Sequence, residues 1–233
     1  GAGVGPIHGP RSHNCRRERP TAREATWRAD ADIAGGTLPA VMNILLALRQ
    51  RELTGEGCYL DIAMTDGMFT FASHALAAGH ATGVFPGMGG ARLSGGSPRY
   101  QIYPTRDGKF VCCAALEQKF WEAFTAAIGL DPKLADDRKD AMATKAAVAA
   151  LIVSKNADEW RPVLAAADCC VTIMATLEEA LRDPHFTGRG LFAHKVAGPS
   201  GQTMPALPVP VDPQFRGEPG VAKAVPKLGS GNI

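Results

Sequence analysis

The 233-residue chain is 45% hydrophobic, enough to bury the core of one or two domains. Its 25 basic and 23 acidic side chains leave a net charge of +2, which gives no electrostatic ground for a nucleic-acid partner. No uninterrupted run of about 18 apolar residues and no signal peptide is seen, so neither a membrane span nor export is expected.

Residues 1–28 are rich in Gly, Pro and Arg and carry neither helical nor strand period. An irregular segment is expected there. A Gly start and an end that closes no element suggest a piece of a longer protein. The next stretch, Ala31-Asp32-Ile33-Ala34-Gly35-Gly36-Thr37, sets an acid just before two glycines. A carboxylate near a helix start meets free N–H groups and a favourable dipole. Bare glycines let a ligand approach the main chain. The plain alternative is an N-cap Asp with a flexible turn.

Leu38, Val41, Met42, Leu45 and Leu46 mark an amphipathic helix over 36–52, closed by Thr54-Gly55-Glu56-Gly57. Cys58 to Met64 reads as a short strand, and Asp66 to Ala78 as a second helix. This order suits the tail of an α/β layer over 29–78. Seven glycines and two prolines follow within 79–98, so a linker is expected over 79–96. A new unit then opens. Tyr100–Pro104 and Lys109–Ala114 are expected as strands, joined by the turn Thr105-Arg106-Asp107-Gly108. Helices are expected over Glu117–Ile128, Ala143–Val153, Asp158–Ala166 and Leu177–Leu181, and a strand over Cys169–Met174. The unit 97–195 is thus α+β, and 196–233 is an extended return segment.

Six cysteines include the adjacent pairs Cys112-Cys113 and Cys169-Cys170. Both lie in apolar, strand-like runs and lack the C-x-x-C spacing of a zinc site. Buried, reduced thiols in a cytoplasmic protein are expected, with no metal.

Four stretches together carry a resemblance. They are Ala31–Gly36 with its helix; Leu53–Gly67; Ser94-Gly95-Gly96-Ser97-Pro98-Arg99-Tyr100 through Trp121; and Ala166–Thr172 with Leu177–Ala180 and Asp183-Pro184-His185. In this order they resemble the family III CoA-transferases, the group that also contains the α-methylacyl-CoA racemases. The resemblance implies an α/β fold: a remnant of a Rossmann-like large domain plus a smaller α+β domain, in an interlocked homodimer. It implies an acyl-CoA enzyme that moves CoA between carboxylic acids through an aspartyl intermediate. The nucleophile would be Asp32, with Gly35 and Gly36 beside it. Gly95 and Gly96 would match a loop that covers the active site. The partners implied are acyl-CoA, as a substrate and not a resident cofactor, and a carboxylic acid.

Glu117, in Ala115-Leu116-Glu117-Gln118-Lys119-Phe120-Trp121, matches the racemase-like form of its motif, where a Glu supports an acid/base His. That His lies upstream of the Asp in the family, in a Gly-His-Asp-like setting. Neither His8 nor His13 fits it, and His74, His80, His185 and His194 read as surface or structural residues. CoA transfer, which needs no His, is therefore the leading reading. Racemisation of 2-methylacyl-CoA is one alternative. A catalytically silent interaction module is the other, since the upstream half that makes most CoA nucleotide contacts in the family is missing.

Overall fold

The computed structural model describes residues 30–230 apart from Met88, Leu207, Pro208, Val221, Lys227 and Leu228. The expectations for residues 1–28, with His8, His13 and Cys15, lie outside the described residues. The chain divides into two units between Ala91 and Arg92.

The first unit's described residues form helices joined by irregular segments, with no strand among them. Asp30–Thr37 is a π-helical turn that runs straight into α1, Leu38–Thr54. Pro39, near the start of α1, removes an N–H at the junction with the π-helical turn. Gly55 ends the helix in the left-handed region at φ 78°, its N–H donating to the Arg51 carbonyl at 2.8 Å. Two shorter helices follow, α2 (Met64–Phe71) and α3 (Ser73–Thr82). The expected single helix over 66–78 is thus broken at Ala72, whose N–H bonds back to Phe69 instead of continuing the ladder. The run Phe69-Thr70-Phe71 is aromatic and β-branched, with little intrinsic helix preference to carry it through.

One of the sequence expectations is corrected here. Cys58–Ala63 forms no strand. Its period-2 signal is visible, with Leu60 and Ile62 half-buried and Tyr59 91% exposed. A strand also needs a hydrogen-bonding neighbour, and this unit's described residues offer none. One 18-residue window within the helical stretch Ala31–Thr54 reaches a mean hydropathy of 1.5, so by length and composition alone this stretch would be able to cross a membrane.

The second unit is built on an antiparallel sheet of β1 (Tyr100–Pro104), β2 (Phe110–Ala114) and β3 (Val171–Ile173), in that order. Tyr100 pairs with Ala114 and Pro104 with Phe110, so the hairpin forms in the expected place. Gly108 supplies the positive φ its turn needs, at 76°. The turn is tied down by Ala157, whose N–H donates to Asp107 Oδ1 at 3.1 Å, and by Arg106, whose N–H donates to the Lys155 carbonyl at 3.0 Å.

Helices α4 (Gln118–Ile128), α5 (Ala141–Ile152) and α6 (Ala157–Ala167) cover the sheet. Each buries residues three and four apart: Trp121, Phe124 and Ile128; Thr144, Val148 and Ile152; Ala157, Trp160 and Leu164. They close on Tyr103, Val111, Cys113, Val171 and Ile173 from the sheet, which makes one core. Asp140 starts α5 by accepting the Met142 and Ala143 N–H groups at 3.0 and 2.9 Å.

The second cysteine pair departs from expectation. Cys169 is buried, but Cys170 is exposed and left-handed at φ 55°, beside Asp168 at φ 46°. The chain turns sharply there before β3, so the pair belongs to a turn and not to the strand. Cys58 is also exposed, and all five described cysteines are free thiols. After β3 come α7 (Leu177–Arg182) and α8 (Pro184–Gly188). A small sheet then orders β5 (Thr203–Pro205), β4 (Lys195–Ala197) and β6 (Lys223–Ala224), antiparallel on one side and parallel on the other.

Candidate active site

Asp32, Gly35 and Gly36 lie in the first unit, inside the π-helical turn. Asp32 does not cap α1: the residue before α1 is Thr37, itself helical at φ −62° and ψ −48°. The Asp32 carbonyl accepts the Thr37 hydroxyl at 3.0 Å. Its side chain is exposed and meets no hydrogen-bond or ion-pair partner among the described residues. Gly35 is buried. A Cβ there would stand 2.7 Å from the Met64 carbonyl and about as close to Met68 as contact allows, at 3.2 Å from Sδ. One on Gly36 would stand 2.8 Å from Met64 Cγ. The bareness of both glycines is thus used by α2. π-Helical segments recur at functional sites because they re-aim side chains out of a regular helix.

Gly95, Gly96 and Glu117 lie in the second unit. Arg92–Gly96 is a kinked turn whose backbone leaves the helical region at Ser94 and at Gly95, the latter buried at φ 99°. The Gly95 carbonyl accepts from Lys145 Nζ at 2.7 Å and from Gln101 Nε2 at 3.0 Å. Two further carbonyls after it are also tied inward. Pro98 accepts the Tyr103 hydroxyl at 2.8 Å, and Arg99 accepts the Cys113 thiol at 3.4 Å. Glu117 is the exposed residue that starts α4, at φ −75° and ψ 145°. Its carbonyl accepts the Trp121 N–H at 3.0 Å.

Between these turns sits Arg99, which sequence reasoning did not single out. Its guanidinium grips Asp137 with both ends of its fork, Nη2 to Oδ1 at 2.7 Å and Nε to Oδ2 at 3.0 Å. The two side chains are only 12% and 11% exposed. Nη1 reaches the Leu116 carbonyl at 3.4 Å, and the group lies 5.1 Å from the centre of the Trp121 ring. Arg99 stands in the quoted glycine motif, and its charge there is a visible signal. Asp137 lies 38 residues away and carries none.

Burial pushes the Tyr103 hydroxyl far above the ordinary tyrosine range and the Cys113 thiol up to about 12. Neither is a nucleophile at neutral pH. His74, His80 and His185 are exposed, with His80 edge-on to Phe85 and His185 edge-on to Phe186. Among the described residues no three His, Cys, Asp or Glu side chains converge as a metal site would require. A cleft of about 270 Å³ beside the small sheet is lined by Val196, Val211, Phe215 and Arg216 among others, and by none of the six expected residues.

A family model described as CoA-transferase family III matches residues 5–232. The alpha-methylacyl-CoA racemase of Homo sapiens is 30% identical over 202 residues, covering 81% of this chain and 51% of that protein. The acetyl-CoA:oxalate CoA-transferase of Acetobacter aceti is 31% identical over 206 residues, covering 83% and 50%. The chain spans about half the length of the curated relatives it matches. Among solved structures, Rv3272 from M. tuberculosis in its orthorhombic form aligns with a TM-score of 0.53 at 21% identity, over 81% of this chain and 51% of that one. That likeness shows a shared α/β fold. With one family model across nearly its whole length and relatives at 30% identity or more, the chain belongs to CoA-transferase family III.

Proposed function

We propose that the chain carries the nucleophile half of an acyl-CoA enzyme that transfers CoA between carboxylic acids. The observation that carries this reading is the Asp32 carboxylate: exposed, unpaired among the described residues, and displayed on a π-helical turn in a chain of this family. An unpaired carboxylate keeps both oxygens for attack.

The reaction runs in balanced steps. An Asp32 oxygen attacks the thioester carbonyl, and the C–S bond breaks to release the CoA thiolate and leave a mixed anhydride. The thiolate then attacks the aspartyl carbonyl. The donor acid leaves as its carboxylate, and Asp32 becomes a CoA thioester. The acceptor carboxylate repeats both steps in reverse, leaving as acyl-CoA and restoring Asp32. Covalent catalysis thus splits one difficult exchange into easier ones. No metal or redox partner enters the balance.

The family resemblance gives the Gly95–Gly96 turn and Glu117 roles in the same reaction as Asp32. Glu117 also keeps a second reading open, because the human racemase is among the relatives. Racemisation requires one group to remove the α-proton and another to return it on the opposite face. The described histidines offer Asp32 no such partner in a Gly-His-Asp-like setting.

One assay tests both readings. The protein is given a 2-methylacyl-CoA donor and a free acid in deuterated water. CoA transfer without deuterium at the 2-position is expected, and Asp32→Asn is expected to lower turnover by at least about a thousandfold. Deuterium incorporation would favour racemisation. Turnover that survives Asp32→Asn would remove the nucleophile and the reading with it.

A further inference from the structure

We infer that Arg99 is a positioning residue: its main chain on one side and its guanidinium on the other fix the Gly95–Gly96 turn and the Glu117 turn relative to each other, and Lys145 completes the hold on the glycine side. The inference rests on the acyl-transfer reading for what the two turns do, and on the geometry for how they are held.

The argument starts from what Arg99 touches. Its backbone follows the glycine turn by three residues, and its N–H donates to the Ser97 hydroxyl at 3.1 Å. Its side chain reaches the Leu116 carbonyl, one residue before Glu117, and lies against Trp121, whose N–H is bonded to Glu117. The bidentate grip on Asp137 fixes the plane of the guanidinium in which these contacts are made. One nearly buried residue therefore joins both turns, through its main chain on the glycine side and its guanidinium on the Glu117 side.

A buried ion pair is a poor source of net stability, because desolvation cancels most of its attraction, and apolar side chains of the same volume often serve as well. What the pair supplies is direction. A planar fork with two fixed acceptors admits one orientation, whereas an apolar side chain in the same space admits several. The carbonyls point the same way. Gly95, Pro98 and Arg99 each turn their oxygen toward the core, onto Lys145 with Gln101, Tyr103 and Cys113 in turn. A segment that contains two glycines gains nothing from its own side chains there, so these external bonds set its shape. Lys145 matters most at the tip, because it comes from α5, 50 residues away, and holds the carbonyl of a residue at φ 99°. Catalytic groups displaced by an ångström lose rate steeply.

The test uses Arg99→Lys, which keeps the charge and loses the fork, and Lys145→Met, which leaves the Arg99–Asp137 pair whole. Hydrogen–deuterium exchange read by mass spectrometry follows peptides over 92–98, 115–119 and, as an internal control for folding, 157–167. Arg99→Lys is expected to speed exchange at both 92–98 and 115–119 by about tenfold or more, and Lys145→Met at 92–98 alone, with 157–167 unchanged in each. In the CoA-transfer assay both variants are expected to lose kcat by about 10- to 100-fold while KM moves much less. If Arg99→Lys unfolds the chain, Lys145→Met decides. Unchanged exchange at 92–98 overturns the hold, and faster exchange with unchanged kcat overturns the positioning role. Failure of the acyl-transfer reading shows separately, as turnover that survives Asp32→Asn on the same preparation.

Discussion

Glu179 does two jobs with one carboxylate. Its Oε2 accepts the Thr176 N–H at 2.8 Å while the Thr176 hydroxyl accepts the Glu179 N–H at 3.2 Å, which closes a capping box on α7. Its Oε1 accepts Lys109 Nζ at 2.8 Å and so ties α7 to the start of β2. The Lys109 hydrogen bond first, and the Thr176 N–H second, hold the carboxyl at about 2, against an ordinary 4.5. A lowered carboxyl contributes stability that is complete above 4.5 and lost as pH falls toward 2. The same bond raises Lys109, whose contribution persists through neutral pH and fades only as pH rises through its raised value. Both side chains are partly exposed, at 31% and 40%, so solvent and salt screen the pair and the effect is modest. Melting followed by circular dichroism is expected to show wild-type Tm falling faster than that of Glu179→Gln between pH 4.5 and 2. Parallel curves would mean that the pair contributes nothing. The box is legible as Thr-x-x-Glu. The Arg99–Asp137 grip is not, because nothing local marks two residues 38 apart as partners. Asp32 and Glu117 stand between these cases. Local chemistry alone allowed a cap at Asp32 and a solvated helix-start carboxylate at Glu117, and only the ordered set of motifs raised them above that.

Elements were legible where their partners are close in sequence. The β1–β2 hairpin is specified by alternation on both arms and by Gly108 at the turn, so all of its information is local. The helices of the second unit show their apolar spacing directly. Cys58–Ala63 carries the same kind of signal and forms no strand, since pairing depends on a neighbour supplied from elsewhere. Glycine packing is another property that local sequence does not mark. Gly35 faces Gly67 on α2, and a Cβ on Gly67 would stand 2.3 Å from the Gly35 carbonyl. Backbone cannot rotate aside as a side chain does. Gly67→Ala is therefore expected to cost about 1–3 kcal/mol in urea unfolding. Gly57→Ala is the control: nothing lies within 4 Å of its Cβ position and its backbone needs no left-handed φ. It is expected to be neutral or stabilising by up to about 1 kcal/mol. Equal effects for the two variants would show that the π turn and α2 do not touch as described.

At the scale of the whole molecule, α1 leaves an apolar face exposed. None of its residues is buried, and Val41, Met42, Leu45 and Leu46 are 51% to 61% exposed. A contiguous apolar face of this kind draws a covering partner. The family resemblance names one, a second copy in an interlocked homodimer, and the small-domain return segment from 196 onward suits threading of that sort. The length and hydropathy of Ala31–Thr54 name another, a bilayer. The polar residues favour protein. Arg49, Gln50, Arg51 and Glu52 occupy the last turns of α1, and Asn43 lies near the middle of Ala31–Thr54, where hydrocarbon would leave its amide with the Pro39 carbonyl alone. The expectation is therefore association in aqueous buffer without lipid. Sedimentation velocity at micromolar concentration should show dimers or larger species, and the double substitution Leu45→Lys, Leu46→Lys should shift them toward monomer while leaving the second unit's exchange pattern intact. A monodisperse wild-type monomer that moves onto lipid vesicles would transfer this face from a protein partner to a membrane.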